Sequence, residues 1–256
     1  MQKPAIQNAT DFFIAYTTAL LSAGTYTARI VKCVRRIAEV YGYEIHINFF
    51  FHNISVNIFD KDDHSIQRTY IIPNNHAHVN FKIILDLSAL SWAIYDCRYE
   101  LEESRKLFQE IIHQKKYSYI FNIFFVSFAN AAFCKLFGGD FASAILVFFA
   151  ALLGLILRYI LTKVKIDLRI QYILCSFLSS LLVAIQSNVT STADVALGSS
   201  VLYLLPGVFF INSIIDILKD YILMGLSRII SVSILVCCLS LGLSMTLAIS
   251  HFEILQ

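Results

Sequence analysis

The 256-residue sequence is short of charge. Only 15% of its residues are Asp, Glu, Lys or Arg, against about 25% in an ordinary soluble domain. In their place 57% are hydrophobic, and the mean hydropathy is +0.67. This balance puts the chain among membrane proteins before any motif is read. Net charge is only +2, with no basic block interleaved with aromatics, so nothing points to a nucleic-acid partner. The patterns of common catalytic and metal sites are missing too. There is no C-x-x-C pair, H-E-x-x-H, nucleophile elbow or phosphate-binding loop. The cysteines Cys33, Cys97, Cys134, Cys175, Cys237 and Cys238 read as small hydrophobes rather than a disulfide framework. His76-x-His78 has no third ligand at a diagnostic spacing and reads as a solvated loop. No catalytic residue, metal or cofactor is expected. No internal repeat is visible.

The charge that is present is unevenly placed. Of 38 charged residues (20 basic plus 18 acidic), 25 precede Ser118 and 13 follow it. Residues 1–116 read as a small α+β domain. Helices are expected over about 9–22 and from Tyr26 to a stop at Gly42. The β-branched and aromatic runs EIHINFFFHNISVNIF and SIQRTYII, separated by DKDD, read as a β-hairpin. Two more helices follow, at about 79–96 and 99–114. The early stretch FFIAYTTALLSAG has helical apolar spacing, which favours a retained helix over a cleaved signal.

Residues 117–256 contain five stretches of the length and polarity that a membrane span needs. They lie at about 118–137, 141–161, 170–187, 196–218 and 229–250. Lys115 and Lys116, then Arg158, Lys163, Lys165 and Arg169, then Lys219 and Arg228 fall on one side. The alternate loops carry only Lys135 with Asp140 and Asp194. The positive-inside rule then puts the N-terminal domain in the cytoplasm and the C-terminus outside. The expectation is a mainly α membrane protein: a cytoplasmic α+β domain (helix pair, β-hairpin, helix pair) and a five-helix bundle, N-in/C-out.

Several polar or helix-breaking residues within these spans are candidates for a substrate or ion path. Pro206 removes an N–H and clashes with the carbonyl of Leu202, and Gly207 adds freedom beside it. Such a break at membrane depth is tolerated only against protein or a water-filled cavity. Asn212 and Asp216 share a helical face. Asp216 is either a site carboxylate or the i,i+3 partner of Lys219 near the interface. Asn130 is either an interhelical hydrogen bond or part of the path. Lys135, Gly138, Gly139 and Asp140 form either a tight turn with a local ion pair or a gate. Arg158 and Arg228 read as topology anchors.

The fourth block, SVLYLLPGVFFINSIIDILKDYILMGLSR, resembles the threonine/serine exporter family, specifically its N-terminal, YjjP-type half. The matching residues are Leu205-Pro206-Gly207, Asn212, Asp216, and Gly225 with Arg228. FCKLFGGDFASAILVFFAA resembles the family's first loop, and LLSAGTYTARIVKCVRRIAEVYG its opening helix pair. This chain departs from the family's pattern after Gly24, where it has Thr25, Ala28 and Arg29, and in NNHAHVN. The resemblance implies a proton-coupled secondary exporter in a bacterial inner membrane. Its substrate would be a small polar metabolite: threonine, serine or a succinate-like dicarboxylate. A YjjB-type second chain, a homo-oligomer, or both would complete it. A membrane-anchored sensor or enzyme, and a homo-oligomeric channel, are the alternatives.

Overall fold

The computed structural model describes residues 3–50, 53–73, 79–114, 118–186 and 191–254. His76, His78, Lys115 and Lys116 lie outside the described residues. In chain order the helices are α1 (Ile6–Ser22), α2 (Thr27–Val40), α3 (Phe81–Cys97), α4 (Leu101–Ile112), α5 (Tyr119–Leu136), α6 (Phe141–Lys163), α7 (Leu168–Ile185), α8 (Ala193–Ser200), α9 (Gly207–Leu218) and α10 (Ile222–Ile254). Three strands lie between α2 and α3: β1 (Tyr43–Phe49), β2 (Asn53–Asp60) and β3 (Gln67–Pro73). The chain divides into two compact units. One is Met1–Lys115 with Val208–Ile230, and the other is Lys116–Gly207 with Ser231–Gln256.

In the first unit, α1 turns Phe12, Phe13, Tyr16 and Leu20 inward, and α2 turns Ile30, Val34 and Ile37 inward. Period-two alternation does the same for the strands, burying Ile45 and Ile47 on β1 and Ile54, Val56 and Ile58 on β2. Leu87 and Ile94 of α3 and Phe108 of α4 complete this core. Its buried hydroxyls are satisfied: Tyr16 donates to the Leu87 carbonyl, and Tyr41 donates to Ser104 Oγ at 2.7 Å. At the unit's edge the Lys3 ammonium lies 2.5 Å from Asp60 and 2.7 Å from Asp62. That pairing holds the Lys3 ammonium well above the usual lysine range and the Asp60 carboxyl below the usual carboxylate range.

The expected β-hairpin is a three-stranded antiparallel sheet, order β1-β2-β3. The run EIHINFFFHNISVNIF is two strands, registered from Tyr43↔Asp60 to Phe49↔Ile54. Phe50 N–H donates to the Asn53 carbonyl at 2.9 Å, which closes the reversal. No Gly or Pro marks it, so unbroken β propensity hid the turn.

The second unit is helical. α5, α6 and α7 pack as successive antiparallel neighbours. Asp140, between α5 and α6, bonds Ser191 and Thr192, so α8 starts at that same end. A buried cluster joins Leu161 of α6, Tyr172 and Cys175 of α7, Val201 and Leu204 beyond α8, and Leu239 of α10. Further along α7, Ser180 Oγ lies 2.6 Å from Thr246 Oγ1 of α10. From Ser231 onward α10 therefore runs in the direction of α7. Phe121, Phe125, Phe128 and Phe149 stay exposed, as a lipid-facing surface requires.

Among the described residues four helices are long and apolar enough to cross a membrane: Tyr119–Leu136, Phe141–Lys163, Leu168–Ile185 and, within α10, Ile222–Ser250. A fifth crossing exists if the bent pair Ala193–Leu204 and Gly207–Leu218 counts as one span. The span expected over 196–218 is broken at Pro206, as its sequence implies. α8 ends at Ser200, a 3-10 turn covers Leu202–Leu204, and α9 starts at Gly207, with the pair bent by 64°. Pro206 accounts for the break, because it has no N–H to continue the ladder. The last helix, expected over 229–250, runs from Ile222 to Ile254 because no proline interrupts it.

Candidate functional site

In the first unit, α1 ends in a turn through Gly24, whose φ of 78° lies in the left-handed region that glycine tolerates. The turn leads into α2 at Thr27. The residue before it, Tyr26, makes no side-chain cap, so the first N–H groups of α2 need an outside acceptor. Asp216 of α9 supplies it. Its Oδ1 accepts from Thr27 N at 2.7 Å, and its Oδ2 accepts from Thr27 Oγ1 at 3.0 Å. Asn212, one turn earlier on α9, donates from Nδ2 to the Gly24 carbonyl at 2.8 Å. Asn212 and Asp216 of α9 thus both bond the α1–α2 turn.

The chain then reverses at Asp220, whose φ is 67°, and α10 returns along α9. Gly225 makes the close return possible. A Cβ there would lie 2.6 Å from Ile217 Cγ1 and 2.8 Å from the Ser213 carbonyl. One turn on, Arg228 Nη1 reaches Asp216 Oδ2 at 2.7 Å. Asp216 has no exposed surface. The pair sits beside the positive end of α2, so one carboxylate answers both a guanidinium and a helix N-terminus.

Of the two readings of Asp216, the pair with Lys219 is not the one formed: its cation is Arg228. Lys219 lies in the reversal, its N–H bonded to the Ile215 and Asp216 carbonyls. Arg228, read from sequence as an anchor, is the cation that meets the carboxylate. Thr27 falls in the stretch that resembles the family's opening helix pair, with no role expected for it. The spacing Gly225-x-x-Arg228 was the available signal: a small residue for close approach, and a cation one turn later on the same face.

The remaining candidates lie in the second unit. Asn130 is buried and donates from Nδ2 to the Ser199 carbonyl at 2.9 Å, tying α5 to α8. Lys135 bonds the Gly139 carbonyl at 3.2 Å, and Gly138 has φ 88°. Asp140 caps α6 through Ser143 N at 2.7 Å and accepts from Ser191 N and Oγ at 3.0 and 2.9 Å. These donors hold its carboxyl well below the usual carboxylate range. The turn is therefore built from backbone and hydroxyl bonds, not from an ion pair between Lys135 and Asp140. At the Pro206 break, the Leu202 carbonyl accepts from Leu205 N at 3.0 Å, so the 3-10 turn takes up the carbonyl the proline could not serve. A Cβ on Gly207 would meet nothing within 4 Å.

Tyr203 makes a further contact within the second unit. Its hydroxyl lies 2.8 Å from Ser179 Oγ, over Gly154, where a Cβ would come within 1.9 Å of the phenol oxygen. A lone glycine among the large aliphatic residues of α6 was the signal. Among the described residues no group of three or more His, Cys, Asp or Glu is placed to hold a metal.

Comparison with known proteins gives concordant results. The family described as "Putative threonine/serine exporter" matches residues 11–250. A protein of Klebsiella aerogenes named "Probable succinate transporter subunit YjjP" is 24% identical over 233 residues, covering 89% of each chain. An Escherichia coli K12 protein of the same name is 32% identical over 128 residues, covering 48% of this chain and 50% of the other. No solved structure matches.

Proposed function

The chain belongs to the threonine/serine exporter family, and on that premise we propose that it is one subunit of a proton-coupled exporter of small polar metabolites, completed by a second, YjjB-type membrane chain. At the coarser level it is a membrane transport protein of the YjjP type and not an enzyme. The substrate class is threonine, serine or a succinate-like dicarboxylate. The location is a bacterial inner membrane, with residues 1–116 cytoplasmic and five spans, N-in/C-out. The relatives named as transporter subunits support the partner and the dicarboxylate. The positive loops support the orientation.

The observation that carries the coupling is the fully buried Asp216, held by Arg228 and Thr27. While ionised, the carboxylate joins α9, α10 and the start of α2. A proton on Asp216 removes the charge that Arg228 and the α2 N-terminus both answer. α9 is then free to leave the α1–α2 turn, and the Asn212–Gly24 bond goes with it. This is a latch on which a proton gradient acts. Pro206-Gly207 is the flexible break just before it, and Asn130 lies along the pathway.

The test is efflux of labelled threonine, serine and succinate from cells carrying the chain with and without its partner. Efflux that requires both chains is the expected result, and no efflux of any of the three rejects the export reading. Asp216→Asn should flatten the pH dependence of efflux. An unchanged profile removes Asp216 as the coupling group.

A further inference from the structure

We infer that the α2–α3 face of the first unit is a docking surface for an anionic lipid bilayer, with Trp92 and Arg36 at its centre. α3 buries one side, through Ile84, Leu87, Ser91 and Ile94. On its other side Phe81, Leu85 and Trp92 are 60%, 64% and 53% exposed. The spacings of four and seven residues put the three on one stripe, about 16 Å long. A contiguous apolar stripe left open on a folded unit marks a contact surface.

The adjoining face of α2 states what kind. A groove of about 340 Å³ runs between the two helices, lined by Lys32, Arg35, Arg36, Glu39 and Trp92 among others. Its charged side chains are three cations and one acid. The Arg36 guanidinium lies 3.5 Å from the Trp92 ring centroid, and its Nη1 donates to Ser91 Oγ at 2.5 Å. The cation is fixed on the ring rather than free to swing away. Lys82 on α3 adds a further cation, and Asp86 and Asp96 are the acids on that helix.

Exposed Trp with apolar neighbours and clustered Arg and Lys is the chemistry of the membrane interface. The ring sits at headgroup level and the cations meet phosphates. Each cation near an anionic surface contributes roughly a five-fold preference. The bilayer is also the surface this unit meets at the highest local concentration. α10 begins in the unit and runs without a break into its apolar length. A weak, salt-sensitive attraction therefore suffices to hold the face down.

Trp92 is the chain's sole tryptophan, so its fluorescence reports on this face alone. The full chain is placed in bilayers of phosphatidylcholine, with or without phosphatidylglycerol, carrying brominated acyl chains. The expected result is a blue-shifted, quenched Trp92 emission only with phosphatidylglycerol, reversed by high salt. Lys32→Glu with Arg35→Glu, both at exposed positions, should return quenching to the phosphatidylcholine level while leaving far-UV circular dichroism unchanged. Emission that is the same in both bilayers, or quenching that survives the double substitution and high salt, overturns the proposal. So does a blue shift that appears only when the partner chain is added.

Discussion

A carboxylate with no exposed surface is costly unless its charge is answered, and Asp216 is answered three times. Arg228 is itself mostly covered, with 18% of its side chain exposed. Removing either partner leaves the other charge stranded, at a cost of about 3–5 kcal/mol for a buried pair. Asp216→Asn keeps an acceptor for Thr27 and leaves Arg228 unpaired. Arg228→Met keeps the stem's packing and leaves the carboxylate without a cation. Each single variant should unfold earlier in detergent, and the double variant should lose less than the sum. A coupling of about 1–3 kcal/mol is expected between groups in direct contact. Strictly additive losses would show that the two do not act as a unit. Efflux separates scaffold from latch: the double variant should regain stability and remain unable to couple transport to pH.

Helix pairs here come together at glycines, and the spacing decides which of them matter. A Cβ on Gly225 would lie 2.6 Å from Ile217, one on Gly154 1.9 Å from the Tyr203 oxygen, and one on Gly242 1.9 Å from Ser176 Oγ and 2.4 Å from the Ile173 carbonyl. Gly198 on α8 would meet nothing within 4 Å. Alanine at 225, 154 or 242 should each destabilise by about 1–3 kcal/mol through overpacking. Gly198→Ala should be neutral or stabilising by up to about 1 kcal/mol, because alanine forms helix better. Equal effects at all four positions, read as melting temperatures in one detergent, would contradict the packing argument. The same close approaches explain what was legible beforehand. Helix extents in the first unit follow from local signals, such as the stop at Gly42. Pro206 announces its break because it has no N–H wherever it sits. The partner of Asp216 was not legible. Lys219 is its neighbour in sequence, whereas Arg228 becomes its neighbour only once the chain reverses at Asp220 and Gly225 lets α10 close on α9. Thr27 carries no local sign, since its role is set by a carboxylate 189 positions away. The strand break after Phe49 was hidden because three successive phenylalanines read as one strand.

At the scale of the molecule the open quantity is the parity of crossings, four or five. The second unit constrains it from its own contacts. α8 starts at the end marked by Asp140. By Leu204 the chain has reached the cluster with Leu161 and Tyr172, near the opposite ends of α6 and α7. Twelve residues from Ala193 to Leu204 cover about 18 Å at helical rise, so the path is most of the way across before Pro206. α10 then runs in the direction of α7, passing Tyr172 and Cys175 at Leu239 and Ser180 at Thr246. A chain that enters α8 at one end of the second unit and rejoins that unit in α10 from the other end fits the expected five crossings. The loop charges of this unit agree: Lys163, Lys165 and Arg169 fall at the end where α5 begins, and Asp194 falls at the other. Fusion reporters test this. Green fluorescent protein at the N-terminus and in the Val164–Asp167 loop should fluoresce, and alkaline phosphatase after Ser250 should be active, placing the two ends of the chain on opposite sides. Phosphatase inactive after Ser250 but active when the fusion point is moved to 191 would mean that the pair turns back. Asp216 would then be reached from one face only, and the latch would gate entry without linking two sides of the membrane.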